Sequence, residues 1–237
     1  MKILSFKRIE KKYLINQSQY EELLKGIRGH MKLDPYCENN KTYKIQNIYY
    51  DTINNTLISN SINKPIYKEK LRVRKYYEAD SYFIELKKKA CGVVGKRRVV
   101  VNKEELDSFF RGDNLDHIID YESRMAIKEI KYLMKRYELM PKVYLSYDRL
   151  GFFDLEDPTL RLTLDNNIHS RRSNLSFKTD ESTINVIKKD EYILESKVKN
   201  NYPLWLARLL DKLKIRSSSF SKYGEEYKLY LTGGKYA

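Results

Sequence analysis

Six stretches of this sequence set charged side chains two residues apart, with mostly apolar residues between them. Lys70, Arg72 and Arg74 alternate with Leu71 and Val73. Glu85, Lys87 and Lys89 alternate with Ile84 and Leu86. Lys96 and Arg98 stand against Val99 and Val101, with Arg97 intruding on the apolar side. Arg161, Thr163 and Asp165 stand against Leu160, Leu162 and Leu164. Glu195, Lys197 and Lys199 share a row with Ile193, against Tyr192, Leu194 and Val198, and Arg8, Glu10 and Lys12 make a last row. Side chains of an extended chain point alternately to opposite faces, so each stretch carries one charged and one apolar face. Rows of Arg and Lys suit phosphate oxygens: each charge-assisted hydrogen bond contributes roughly 1.5–3 kcal/mol, and a guanidinium can bind bidentately. A carboxylate among them is counterproductive for anion binding alone. It makes sense where a divalent ion such as Mg2+ or Mn2+ bridges carboxylate and phosphate.

A solvated open sheet would also display charged rows, and for one strand that is the plainer reading. Six strands dominated by cations point elsewhere. Apolar rows need cover, which amphipathic helices supply from outside, leaving the charged rows to bulk water or to a barrel interior. Eight strands close around a small lumen. Cations in a dry lumen would cost several kcal/mol each, so the lumen must be wet and take an anion.

The elements that would position these rows are eight predicted strands: Ser5–Ile15, Lys44–Asp51, Ile66–Tyr77, Ser81–Lys89, Val93–Val101, Lys142–Phe153, Leu160–Arg171 and Glu191–Lys199. Helices are predicted over Ser18–Arg28, with a Ser cap and Glu21 at the capping-box position, and over Lys103–Arg111, Glu122–Glu138, Leu204–Leu213 and Phe220–Leu231. Residues 172–189 read as a loop. The expected fold class is α+β: a closed eight-stranded antiparallel β-barrel with helices packed outside, forming a single domain over 1–237. Asp51 reads as a strand-end turn or cap residue and Trp205 as a packing anchor.

The chain is 41% hydrophobic and carries a formal net charge of +14, which excludes a disordered acidic chain and favours a polyanionic partner. Cys37 and Cys91 lie far apart without metal-ligand spacing, so a reduced, cytoplasmic setting is expected. The N-terminal stretch lacks a signal-peptide core, and the longest apolar run, Pro203–Leu210, contains Arg208 and is too short for a bilayer. No membrane span is expected; a membrane-protein partner is left open. The basic residues follow strand alternation instead of gathering in a tail or helix, which argues against nucleic acid.

The motifs RIEKKYLI (8–15), NIYYDT (47–52), KLRVR (70–74), IELKKK (84–89), GKRRV (95–99), LRLTLD (160–165), ILESK (193–197) and SFSKYGE (219–225), in that order, resemble the VTC domain. This is the polyphosphate polymerase domain within the CYTH-like triphosphate tunnel metalloenzyme superfamily. The resemblance implies a tunnel that binds ATP or another nucleoside triphosphate with Mn2+ or Mg2+ and transfers the γ-phosphoryl group to inorganic polyphosphate. Carried over, it makes Arg72, Arg74, Arg161 and Lys222 the catalytic cations. Lys12, Lys87, Lys96, Arg98, Lys197 and Ser219 become substrate-binding residues, and Glu195 the metal ligand. Arg171 or Arg172 matches a further family arginine in an uncertain register. An ion pair with Lys87 or Lys197 is the plainer alternative for Glu195. Tunnel hydrolases carry ExExK near the start; here Arg8 holds the first position, leaving Glu10 and Lys12, which favours the VTC branch. The three histidines lie outside every motif, which phosphoryl transfer by positioning and charge neutralisation tolerates. The alternatives are a tunnel triphosphatase and a non-catalytic polyphosphate-binding module.

Overall fold

The computed structural model describes residues 9–37, 41–63, 66–77, 79–91, 93–115, 117–118, 120–180, 182–199 and 201–233. Arg8 and the first part of the first predicted strand lie outside them. The described chain forms ten strands and six helices: β1 (Ile9–Asn16), α1 (Gln17–Gly26), β2 (Met31–Leu33), β3 (Tyr43–Asp51), α2 (Thr56–Ile62), β4 (Tyr67–Tyr76), β5 (Tyr82–Ala90), β6 (Val93–Val101), α3 (Lys103–Arg111), α4 (Tyr121–Arg136), β7 (Met140–Asp154), β8 (Arg161–Arg171), β9 (Ile184–Asn185), β10 (Glu191–Val198), α5 (Leu204–Lys212) and α6 (Lys222–Leu231). The strand path is β1-β10-β8-β7-β3-β4-β5-β6, with β2 on β7 and β9 on β8. All eight predicted strands are present, and the α+β class with an eight-strand antiparallel path is the one expected.

The chain packs as two compact units. One holds the chain up to Lys44 with Tyr147–Ile168 and Asn185–Lys222; the other holds Ile45–Ser146, His169–Ile184 and the chain from Tyr223. Strands β7 and β8 contribute to both.

In the first unit, Tyr13, Ile15, Leu162, Leu164, Leu194 and Val198 send the apolar rows of β1, β8 and β10 into a core shared with Leu23 of α1 and Leu206 and Leu210 of α5. Ser196 sits in the same row, fully buried, and its hydroxyl meets that of Tyr202 at 2.6 Å, which satisfies it. Trp205 packs against this core and stacks on His30 at 4.3 Å, the anchoring role expected.

In the second unit, Leu71, Val73, Ile84, Leu86, Val99 and Val101 pack under Phe109 of α3 and Ile130 and Leu133 of α4. Arg97, the residue out of phase, reaches Glu129 of α4 at 2.7 Å, and Lys88 joins the same carboxylate at 3.0 Å. A charge on the apolar face is therefore placed at the rim of the helix contact.

Three local expectations change. Helix α1 is capped by Asn16, whose Oδ1 accepts from the Gln19 N–H while Gln19 Oε1 accepts from the Asn16 N–H. This box starts two residues earlier than the predicted Ser18 and Glu21. Helix α2 is not among the predicted helices, because TLISNSI lacks a clear apolar stripe. Asp51 supports it: the buried carboxylate accepts from the backbone N–H groups of Leu57 and Ile58 and from Tyr223 Oη. The predicted 172–189 loop contains the two-residue strand β9.

Candidate functional site

In the second unit the register aligns Tyr49, Arg72, Glu85 and Arg98 across β3, β4, β5 and β6, with Lys70, Lys87 and Lys96 as the neighbouring rung. Glu85 is 2% exposed. Arg72 reaches it at 2.6 Å, Lys96 at 2.6 Å, Arg98 at 2.5 Å and Arg74 at 4.0 Å. Burial pushes its pKa up, but Arg72, Arg74 and Lys96 overcome that and hold it well below the usual carboxylate range. Four cations thus share one carboxylate. Desolvation pulls Lys96 down to about 8 against the pull of Glu85. Asn47 Oδ1 accepts from Arg74 Nε at 3.0 Å, and Tyr49 Oη accepts from Arg72 at 3.1 Å. Both come from the NIYYDT motif. The structure therefore brings Arg72, Arg74, Lys96 and Arg98 together, with Lys87 exposed on the adjoining rung.

In the first unit β1, β10 and β8 set Lys12, Glu195 and Thr163 in one rung and Glu10, Lys197 and Arg161 in the next. Glu195 is 7% exposed and ion-paired to Lys197. Burial raises its pKa, while Lys197, Lys12, Lys222 and Arg149 together hold it well below the ordinary range. Beside it lies a second buried carboxylate, Asp165, which receives both nitrogens of Arg149 at 2.6 and 2.7 Å and Lys222 Nζ at 2.5 Å. Burial opposes ionisation there too, but Arg149 and Lys222 hold the pKa down to about 2. The Arg149 guanidinium and the Lys222 ammonium also lie 5.3 and 4.5 Å from the Tyr147 ring centre. Arg161 pairs with Asp34 and lies 4.8 Å over Phe153. Asp34 approaches β7 so closely that a Cβ at Gly151 would come within 3.1 Å of its side chain. Lys12 Nζ donates to the Phe220 carbonyl at 3.4 Å.

The other predicted site residues fall elsewhere. Helix α6 begins at Lys222, so Ser219 stands exposed three residues before the helix and outside its first turn. Lys199, placed in the Glu195 row by alternation but given no site role, lies past the end of β10. Arg171 spends its guanidinium on the carbonyls of Asn174, Ser176 and Lys178, and Arg172 pairs bidentately with Glu226 at 2.8 and 2.9 Å. Both are occupied in holding backbone and helix. Arg149 and Asp34 are site residues that sequence reading misses, and Glu85 and Asp165 are read only as members of charged rows. For Arg149 the signal is weak: a cation in phase with Tyr147 inside a long strand, blurred by Asp148 next to it.

A metal ion would find few protein ligands. Among the described residues no three His, Cys, Asp or Glu side chains cluster. Asp165 is saturated by its two cations, which leaves Glu195 and, one rung away, Glu10. Two buried groups at this place lack hydrogen-bond partners, Thr163 Oγ1 and Arg161 Nε. A donor set this small fits a hard ion that keeps its waters and takes further oxygens from a phosphate ligand, as Mg2+ and Mn2+ do.

Residues 7–231 match the VTC domain pattern. The chain belongs to the VTC domain family. The order of the eight motifs points to the same family. The solved structures that align with this VTC domain include the following two. An adenylate cyclase candidate from Bacillus halodurans covers 90% of this chain and 93% of its own, with TM-score 0.53 and 15% identity. An adenylyl cyclase candidate from Hippeastrum, described as having a dominant triphosphatase activity, covers 97% of each chain with TM-score 0.54 and 18% identity. At such identities the likeness is one of fold. No curated protein matches the chain. Among the described residues no helix of this VTC domain is long and apolar enough to cross a membrane.

Proposed function

We propose that this VTC domain is a polyphosphate polymerase that moves the γ-phosphoryl group of ATP, or of another nucleoside triphosphate, onto inorganic polyphosphate. The observation that carries the reading is the cation excess around buried carboxylates. Glu85 stands within 4.0 Å of four cations, and Lys70, Lys87 and Lys96 face one another directly across β4, β5 and β6. Four cations around one carboxylate leave the Glu85 row net positive, a charge that the oxygens of a phosphate ligand would balance. Family membership supports phosphate chemistry as the purpose of that excess.

In this reading Arg72, Arg74, Lys87, Lys96 and Arg98 bind phosphoryl oxygens. Lys12, Arg161, Lys197 and Lys222 do the same around Glu195, and Arg149 is added to them. Charge that grows during transfer is assigned to Arg72 and Arg74 in the second unit and to Arg161 and Lys222 in the first, each pair acting in its own row. Asp165 keeps Arg149 and Lys222 oriented, so that little reorganisation accompanies the reaction. Glu195, with Glu10, would hold Mg2+ or Mn2+, whose chemistry there is neutralisation of phosphate charge. The acceptor, the free end of a phosphate chain, is already anionic, so no side chain is needed to deprotonate it.

The test is incubation with ATP and Mn2+, followed by electrophoresis of the products. Long phosphate polymer with stoichiometric ADP supports the proposal. Orthophosphate as the only phosphate product would make the protein a triphosphatase, and binding without turnover would make it a polyphosphate-binding module; either result overturns polymerase activity.

A further inference from the structure

A second group of cations lies on the far side of the second unit's core from the Glu85 row. Helix α4 buries Ala126, Ile130 and Leu133 toward the sheet. Its opposite face carries Arg124, Lys128, Lys131 and Lys135, spaced by four, three and four residues, so all four fall on one stripe. Like charges at this spacing oppose helix formation, and nothing in the helix's own packing requires them. Arg124 and Lys128 make no ion pair or side-chain hydrogen bond among the described residues and are exposed. Lys131 is fixed: its ammonium donates to the Asp113 carbonyl and to Asn114 Oδ1, both at 2.9 Å, and lies 6.0 Å from the Phe109 ring centre.

The first three of these cations border a concavity of about 470 Å³. Arg124, Lys128 and Lys131 line one side; Leu115, Ile118 and Ile127 form an apolar shelf, with Asn114 at its edge. That volume is in the range of small-ligand sites, which pair an apolar lining with a few placed polar groups. We propose that this concavity is a second ligand site, separate from the phosphate-binding rows, and that it takes a nucleoside phosphate. The cations suit the phosphates, the shelf suits a planar base, and the Asn114 amide can donate and accept along the base edge. A bare phosphate chain would leave the shelf without a contact. Placed on the outer face of α4, the site could report nucleotide level to the enzyme without competing for its substrate, a role that rests on the polymerase reading.

The test uses the whole chain with a photoreactive azido-adenine triphosphate, mapping labelled peptides by mass spectrometry. Label is expected within 113–131, competed by unlabelled ATP about tenfold more strongly than by tripolyphosphate of similar charge. The Arg124→Ala/Lys128→Ala variant, altered only at exposed helix positions, should lose that label while keeping its label elsewhere and its wild-type melting temperature. The proposal fails if peptide 113–131 stays unlabelled, if the variant retains its label, or if tripolyphosphate competes as well as ATP. The last result would mean that charge alone is read there. Because label elsewhere reports the main nucleotide site, failure here is distinguishable from failure of the polymerase reading.

Discussion

Replacing Asp165 with Asn tests whether the buried triad with Arg149 and Lys222 is organised around that carboxylate. The group is fully buried and takes three short charge-assisted hydrogen bonds. Asparagine keeps its shape but turns one acceptor into a donor, so one cation faces an N–H and neither is neutralised. Removing one member of a buried ion pair costs about 3–5 kcal/mol, chiefly because the surviving charge stays buried. The titration behaviour supplies an independent handle. The folded pKa, about 2, lies below the ordinary value of 3.8. The associated stabilisation is therefore complete above about pH 4 and is lost as pH falls toward 2. That difference corresponds to roughly 2 kcal/mol. The Asn variant should lose more than this at pH 7, since it strands two cations, and should show a correspondingly flatter decline between about pH 4 and 2.

Urea denaturation followed by circular dichroism at about pH 7 and pH 3 measures both quantities. A loss under about 1 kcal/mol at neutral pH, or an unchanged acid limb, would refute the reasoning. Arg149→Met combined with Asp165→Asn sharpens the result. If the two side chains stabilise each other, the double variant is less destabilised than the sum of the singles, and simple additivity counts against the pairing. Tripolyphosphate at saturating concentration should restore part of the lost stability, because it resupplies negative charge to Arg149 and Lys222.

Other outcomes follow from the same geometry. Lys96 is cationic below about pH 8, so tripolyphosphate affinity should weaken as pH rises through that value, and Lys96→Arg should remove the step in a calorimetric titration. Glu195→Gln should abolish the response of turnover to added Mn2+ while leaving metal-free triphosphate binding equal or tighter, as read by product analysis and calorimetry. Asp51→Ala should destabilise by about 2–3 kcal/mol and accelerate amide exchange at Leu57 and Ile58, because it strips α2 of its cap and leaves Tyr223 Oη without its acceptor.

Strand faces are legible in the sequence because alternation has only one physical reading when both rows are long. Leu160, Leu162 and Leu164 enter the core and Arg161, Thr163 and Asp165 do not. What alternation does not show is register, and register decides partners. Nothing local to IELKKK says that Glu85 lies between Arg72 and Arg98, since those residues come from other strands. Asp34 is invisible for a related reason: it sits in a turn and gains its role only where Gly151 lets it approach Arg161. Arg149 and Asp165 are sixteen positions apart on different strands, so their pairing emerges only once β7 and β8 are adjacent. Asp51 can be read as a cap residue, but the helix it caps cannot, because its own residues carry little helical signal.

The buried carboxylates of these rows, Glu85, Asp165 and Glu195, explain why the cations do not simply repel the sheet apart. Glu85 and Asp165 each neutralise part of the charge around them, and each lies almost wholly out of water. A carboxylate so placed fixes its guanidinium partners in one geometry while leaving a net positive row. Arg72 and Arg98 are held edge-on by the same group, and Arg72 donates further to Tyr49 Oη. Filling the row with more carboxylates would stabilise the sheet and remove its net positive charge. Removing Glu85 would raise the positive charge but free the guanidinium groups to disperse. In the Glu85 row one carboxylate among four cations gives both order and a net positive charge, and it is this ratio, more than any single residue, that the phosphate-transfer reading requires.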